Sequence, residues 1–136
     1  MSNYKKTYRL YPHSKNLLRT PAMVGGREKG DYFRVQLLVD TGASFTILPV
    51  KAIKALGYEI DRPLRYQKIV TGNGMIDAPV VMVSWFNCLG QTIKNFDFEA
   101  IAYNTPANLR VDGLLGMDFL TRFQAIISVR EPEIRY

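Results

Sequence analysis

Residues Leu37 to Pro49 read LLVDTGASFTILP, and the organisation of the chain follows from this stretch. Leu37, Leu38 and Val39 run into Asp40-Thr41-Gly42-Ala43-Ser44, and a second apolar run, Phe45 to Leu48, runs out. A carboxylate set between two hydrophobic runs is expected to be at least partly buried, where it is costly unless paired or hydrogen-bonded. The following residues supply the means. Thr41 brings a hydroxyl, and Gly42 permits a tight turn that carries amide N–H groups to the carboxylate. A strand that ends at an acid, turns on glycine and leaves as a strand presents that acid in a cleft.

The 136 residues are enough for one domain with a hydrophobic core but not for two lobes of ordinary size. Hydrophobic residues at 47% and charged residues at 22% give the balance of a soluble globular protein. The single cysteine, Cys88, excludes an intrachain disulfide and fits a reducing, cytoplasmic compartment. It reads as a small buried apolar side chain, because the one histidine, His13, lies in a different kind of segment. The same scarcity excludes a Cys/His zinc site, and no metal or cofactor is expected. No apolar run has the length of a membrane span, and the N-terminus lacks a signal-peptide core.

Charge is unevenly placed. Residues 1–36 hold eight basic residues (among them Lys5, Lys6, Arg9, Lys15 and Arg19) against Glu28 and Asp31, which accounts for the whole net charge of +6. The remaining hundred residues carry ten of each sign. A basic arm can touch nucleic acid, an anionic surface or an acidic partner, but its ordinary reading is a solvated face.

Residues 1–20 mix tyrosines with basic side chains, and Tyr8, Leu10 and Tyr11 are placed to begin an edge strand before Pro12. Thr20 to Gly30, with Gly25-Gly26 and Gly30, reads as loop. From Tyr32 to Val39, Phe33, Val35, Leu37 and Val39 alternate with Arg34, Gln36 and Leu38, the period of a strand. Val50, Ile53 and Leu56 fall at helical spacing, with Gly57 placed to end the helix. After a connection from Tyr58 to Leu64, Tyr66 to Thr71 and Met75 to Trp85 read as strands joined around Gly72-Asn73-Gly74. Asn-Gly between β-prone runs is a strong hairpin signal, and Pro79 in the second arm predicts an edge position or a bulge. Asn87 to Gln91 reads as a turn, Thr92 to Tyr103 as a strand pair or one long strand, and Asn104 to Asn108 as a loop. Leu109 to Leu115 is a predicted strand. Gly116 to Phe123 is a short helix, Ala125 to Val129 a last strand, and Arg130 to Tyr136 a charged end.

Near that end, VDGLLGMDFL contains Leu114-Leu115-Gly116 followed by Met117-Asp118-Phe119-Leu120. Leu38 through Ser44, continued by Ile47 and Leu48, resembles the active-site loop of aspartic proteases: an apolar pair, Asp, Thr or Ser, Gly, Ala or Ser. The late apolar-apolar-Gly triplet resembles the retropepsin-type members, where a strand threads behind the catalytic loop and two backbones pass closely. The Gly-apolar-Asp-aromatic-Leu continuation is similar to the cellular, bacterial and retroelement branches. The resemblance covers roughly residues 32–130. It implies an all-β acid-protease fold, a closed barrel or sandwich with one or two short helices and a flap hairpin. It leaves 1–31 as a basic arm or accessory strand and 131–136 as a charged C-terminal end. The basic first third and the loop Asn104 to Asn108 depart from a minimal retropepsin.

Hydrolysis of peptides by carboxylates requires two of them, because like charges ~3 Å apart cannot both ionise and so share a proton. One Asp-Thr-Gly is present. Asp112-Gly113 lacks the hydroxyl residue, and Asp118 reads as a helix-start acid favoured by the helix dipole. The second carboxylate is therefore expected from a second copy across a two-fold axis, and the resemblance implies the same homodimer. It further implies that Asp40 of each subunit binds the lytic water, that Thr41 hydrogen-bonds across the axis and that Gly42 donates to the carboxylate. Ala43, Ser44, Leu114, Leu115 and Gly116 would support the loop. Thr71, Gly72, Asn73, Gly74 and Met75 would form a flap over an extended peptide or protein substrate. The leading expectation is a homodimeric aspartic endopeptidase, free-standing or excised from a retroelement polyprotein. The competing one is a non-proteolytic peptide-binding or dimerisation module of the same fold, its basic arm on nucleic acid.

Overall fold

The computed structural model of the protein describes residues 6–14 and 16–136; Lys5 and Lys15 of the basic arm lie outside the described residues. In chain order the strands are β1 (Thr7–Arg9), β2 (Tyr11–His13), β3 (Leu17–Gly25), β4 (Tyr32–Val39) and β5 (Ile47–Leu48). Helix α1 (Val50–Ala55) precedes β6 (Arg65–Thr71), β7 (Gly74–Val83), β8 (Phe86–Cys88), β9 (Gln91–Ile93) and β10 (Phe98–Ala102). A 3-10 turn at Ala107–Leu109 leads to β11 (Gly113–Leu115), α2 (Met117–Arg122), β12 (Ile126–Ser128) and β13 (Glu133–Arg135). Ten strands form one sheet in the order β6-β7-β10-β5-β11-β4-β3-β8-β9, with β2 also on β3, and β1-β13-β12 form a second. The large sheet is open rather than closed into a barrel, and the architecture is sandwich-like and all-β apart from its short helices.

Alternation along β4 buries Val35 and Leu37, and the cross-strand residues Ala22 and Thr20 lie beside them. The main core gathers these with the inner faces of both helices, Ile53 from α1 and Phe119 from α2. Phe86 stacks on Phe98 at 4.6 Å and meets Phe119 edge-on at 5.8 Å. Cys88 is buried here, and desolvation pushes its thiol up to about 12, which keeps it an apolar filler. Among the described residues, no helix is long and apolar enough to cross a membrane.

Several elements differ from the sequence expectation. Thr20 to Gly25 is not loop but the second half of β3, paired with β4 along its length. Pro21 is tolerated because β3 changes outer partner there, from β2 through Arg19 to β8 from Ala22. Gly25 serves close approach: its N–H donates to the Trp85 carbonyl, and an added Cβ would sit 2.2 Å from the Trp85 ring. The predicted turn from Asn87 to Gln91 is narrower, with only Leu89 and Gly90 between β8 and β9. The strand predicted from Leu109 keeps only Gly113–Leu115, because the 3-10 turn takes Leu109. The charged end contains β13, the middle strand of the small sheet, with Ile134 fully buried.

Candidate active site

β4 delivers Asp40 to the mouth of a cleft and β5 leaves it, as the apolar runs on either side dictate. The Gly42 N–H donates to Asp40 Oδ1 at 2.9 Å, and the Ala43 N–H donates to the Asp40 carbonyl at 3.2 Å, closing the turn. The loop is tied from behind by β11, which runs parallel to β4 with Leu114 beside Leu38 and Leu115 beside Val39. The Asp40 N–H donates to the Leu115 carbonyl at 3.0 Å, and the Met117 N–H to that of Ala43 at 2.8 Å. A Cβ on Gly116 would lie 2.5 Å from the Phe45 carbonyl carbon, so only glycine lets the two backbones pass. The two motifs, some seventy residues apart in sequence, are one structural unit.

Thr46 and Asp118 complete it, and sequence reasoning missed this pair. The fully buried Thr46 donates its N–H to Asp118 Oδ2 at 2.9 Å and its hydroxyl to Oδ1 at 2.8 Å. Its hydroxyl oxygen accepts the Gly116 N–H at 3.2 Å. Asp118 stands in the first turn of α2 as expected, and its carboxylate serves both ends: besides Thr46 it accepts the Phe119 N–H at 2.8 Å on Oδ1. Burial pushes that carboxyl above its ordinary value, against the opposing pull of the Thr46 bonds. The sequence marks Asp118 by its place two residues after Gly116, but nothing local to it points to Thr46. Asp112 also has a structural task, accepting the Gln36 N–H at 2.7 Å.

The cleft beside Asp40 is about 360 Å³, walled by Gly42 to Phe45 on one side and Gln67 to Val70 of β6 on the other. Ile47, Ile101 and Leu114 form its apolar floor and belong to a small core at the base of the β6–β7 hairpin. The hairpin turns at Gly72-Asn73, with Thr71 opposite Gly74. Thr71 Oγ1 accepts the Asn73 N–H at 3.2 Å and donates to the Gly74 carbonyl at 2.8 Å. The predicted tip, Thr71 to Met75, does not line the cleft in this chain alone; the β6 residues before it do. Ser44 lines the cleft and gives its carbonyl to the Asp118 N–H. Thr41 is exposed and faces a separate apolar cleft with Met117, Leu120 and Ile127. The arrangement offers one hydrogen-bonded carboxylate lining a cleft with an apolar floor and a mixed wall that includes Ser44, Gln67 and Lys68.

A family model described as aspartyl protease matches residues 20–119. Among solved structures, a retropepsin-like aspartic protease from Rickettsia conorii is similar in fold, with a TM-score of 0.70 at 20% identity. The match covers 100% of this chain and 97% of that one. No curated protein matches the chain.

Proposed function

The chain belongs to the aspartyl protease family, and from that premise we propose that it is an endopeptidase active as a homodimer, with Asp40 of each copy holding one lytic water. The observation that carries this reading is the Asp40 carboxylate, fixed by the Gly42 N–H at 2.9 Å in a cleft with an apolar floor, with no second such loop in the chain. Two copies related by a two-fold axis bring two such carboxylates together. One carboxylate, ionised, takes a proton from the water as it attacks the peptide carbonyl, and the other, protonated, donates to the developing oxyanion; the first then passes its proton to the amine nitrogen as the C–N bond breaks, and the second recovers a proton from the gem-diol as the new carboxyl forms. The titration belongs to the pair rather than to either residue.

The neighbouring residues take supporting roles. Thr41, exposed beside the loop, meets its equivalent across the axis. Ala43, Ser44, Leu114, Leu115 and Gly116 hold the loop from behind, helped by Thr46 and Asp118. Thr71 to Met75 closes as a flap, bringing β6 over the substrate and excluding water. The peptide lies extended, its alternate side chains falling against Phe45, Ile47, Ile69 and Ile101.

Asp40→Asn tests the reading. The amide keeps the shape and cannot exchange the proton, so the variant folds with an unchanged thermal transition and loses cleavage of a peptide library. Turnover at the wild-type rate in purified Asp40→Asn would overturn the assignment.

A further inference from the structure

Of the described residues in the basic first third, β2, β3 and the start of β4 are built into the large sheet, and β1 with Arg9 into the small one. Register places Tyr11 beside Arg19, and sets Met23 between Arg34 and Asn87, with Thr92 beyond. Arg19 and Met23 lie on the face of β3 opposite the one that buries Thr20, Ala22 and Val24. Two adjoining clefts run along this outer face. The first, about 390 Å³, is lined by Tyr8, Arg9, Tyr11, Met23 and Arg34 among others. The second, about 480 Å³, shares Met23 and Asn87 with it and adds Trp85, Lys94 and Phe96. Among the described residues no acid lines either cleft, and Arg9, Arg34 and Lys94 make no ion pair. Glu133, opposite Arg9 in the β1–β13 ladder, is bonded to Arg135. The guanidinium of Arg19 stacks on the Tyr11 ring, 5.4 Å from its centroid.

Cations alone would suit any polyanion. The rings decide among them. Tyr11, lining the first cleft, and Phe96, lining the second with Trp85, stand 40% and 52% exposed. Adjoining clefts that combine cations outside any ion pair with part-exposed aromatic rings match a chain that carries both phosphates and planar bases. An acidic peptide would use the cations and leave the rings unpartnered. We propose that this outer face of β2-β3-β8-β9 is a docking surface for single-stranded nucleic acid. It shares no lining residue with the Asp40 cleft, so the two sites can be occupied together.

The test uses a fluorescent oligo(dT), heparin and poly-glutamate as probes of the full chain, followed by anisotropy across a salt series. Wild type binds oligo(dT) with a slope of log K against log salt of about −2, for the three cleft cations Arg9, Arg34 and Lys94 at about 0.7 each. The double variant Arg34→Glu/Lys94→Glu loses at least about tenfold in affinity, two contacts being reversed. Tyr11→Leu and Phe96→Leu, which keep apolar bulk and remove the ring, each lose about fivefold or more for oligo(dT) and nothing for heparin. Unchanged thermal transitions show that each variant is folded; Tyr11→Phe, which keeps the ring, binds as wild type. No binding at low salt would overturn the proposal, as would binding untouched by the charge reversals. Ring variants that bind oligo(dT) as wild type, with heparin or poly-glutamate held equally well, would assign the face to acidic polymers instead.

Discussion

Thr46 spends all its polar atoms within the fold: N–H and hydroxyl donate to the two oxygens of Asp118, and the hydroxyl oxygen takes the Gly116 N–H. Removing the carboxylate with Asp118→Ala strands the two buried Thr46 donors, at about 1–3 kcal/mol each, and also takes the acceptor from the Phe119 N–H. The variant is therefore expected to lose about 3 kcal/mol of unfolding free energy in urea titration, with peptide cleavage falling as the loop loosens. Asp118→Asn is milder, because its carbonyl still accepts from the Thr46 N–H and its amide can donate to Thr46 Oγ1, leaving only the Phe119 N–H without its acceptor. It also reports on pH. Burial raises the Asp118 carboxyl from its ordinary value of 3.8, so the folded chain binds this proton more tightly than the unfolded chain. The resulting stability is fully present below that ordinary value and is lost as the pH rises from there through the raised folded value. Over that window the stability of wild type is expected to fall relative to Asp118→Asn. Parallel stability curves for the two proteins would show that Asp118 binds its proton equally well in the folded and unfolded chains.

Ile134 is the one apolar residue of β13, set between Glu133 and Arg135, and it is wholly buried between β1 and β12. Ile134→Ala is expected to cost about 2–5 kcal/mol, read by thermal or urea unfolding. A loss below about 1 kcal/mol would mean that the small sheet opens independently of the main core. Such an element is hard to read from sequence, since one buried side chain among charges carries no period. β4, α1 and the β6–β7 hairpin were legible for the opposite reason. Each has several apolar residues at one spacing and a glycine or Asn-Gly where the chain must turn. β3 failed because Pro21 and Gly25 look like loop residues until the partner switch to β8 and the Trp85 contact explain them. The Asp40 loop and the Leu114-Leu115-Gly116 strand could be read as separate motifs, because local composition marks both. The Thr46–Asp118 bonds and the cleft wall at Gln67 to Val70 could not, because they depend on which strands the sheet order brings together.

The whole chain presents a single Asp-Thr-Gly loop with Thr41 turned outward, beside an apolar cleft of about 530 Å³ lined by Met117, Leu120 and Ile127. In the same C-terminal segment, Ile126 of β12 and Val129 just beyond it are 45% and 78% exposed, which adds apolar surface beside that of the cleft residues. A second copy packed there would cover that surface and supply the missing carboxylate. Concentration then becomes the control variable. Cleavage per mole of chain should fall over a serial dilution as pairs separate, and the fall should coincide with a change in sedimentation from dimer to monomer. Mixing gives the sharper result. If chains exchange freely and both Asp40 carboxylates are needed, the wild-type chains that remain active are those paired with another wild-type chain. A ninefold excess of Asp40→Asn should then reduce the activity of a fixed amount of wild type to about one tenth. The added chains raise total concentration and so favour pairing, which makes inhibition the opposite of what simple mass action on an active monomer predicts. Activity indifferent to both dilution and the inactive chain would place the whole catalytic apparatus in one copy, and the second acid would then have to be sought within it.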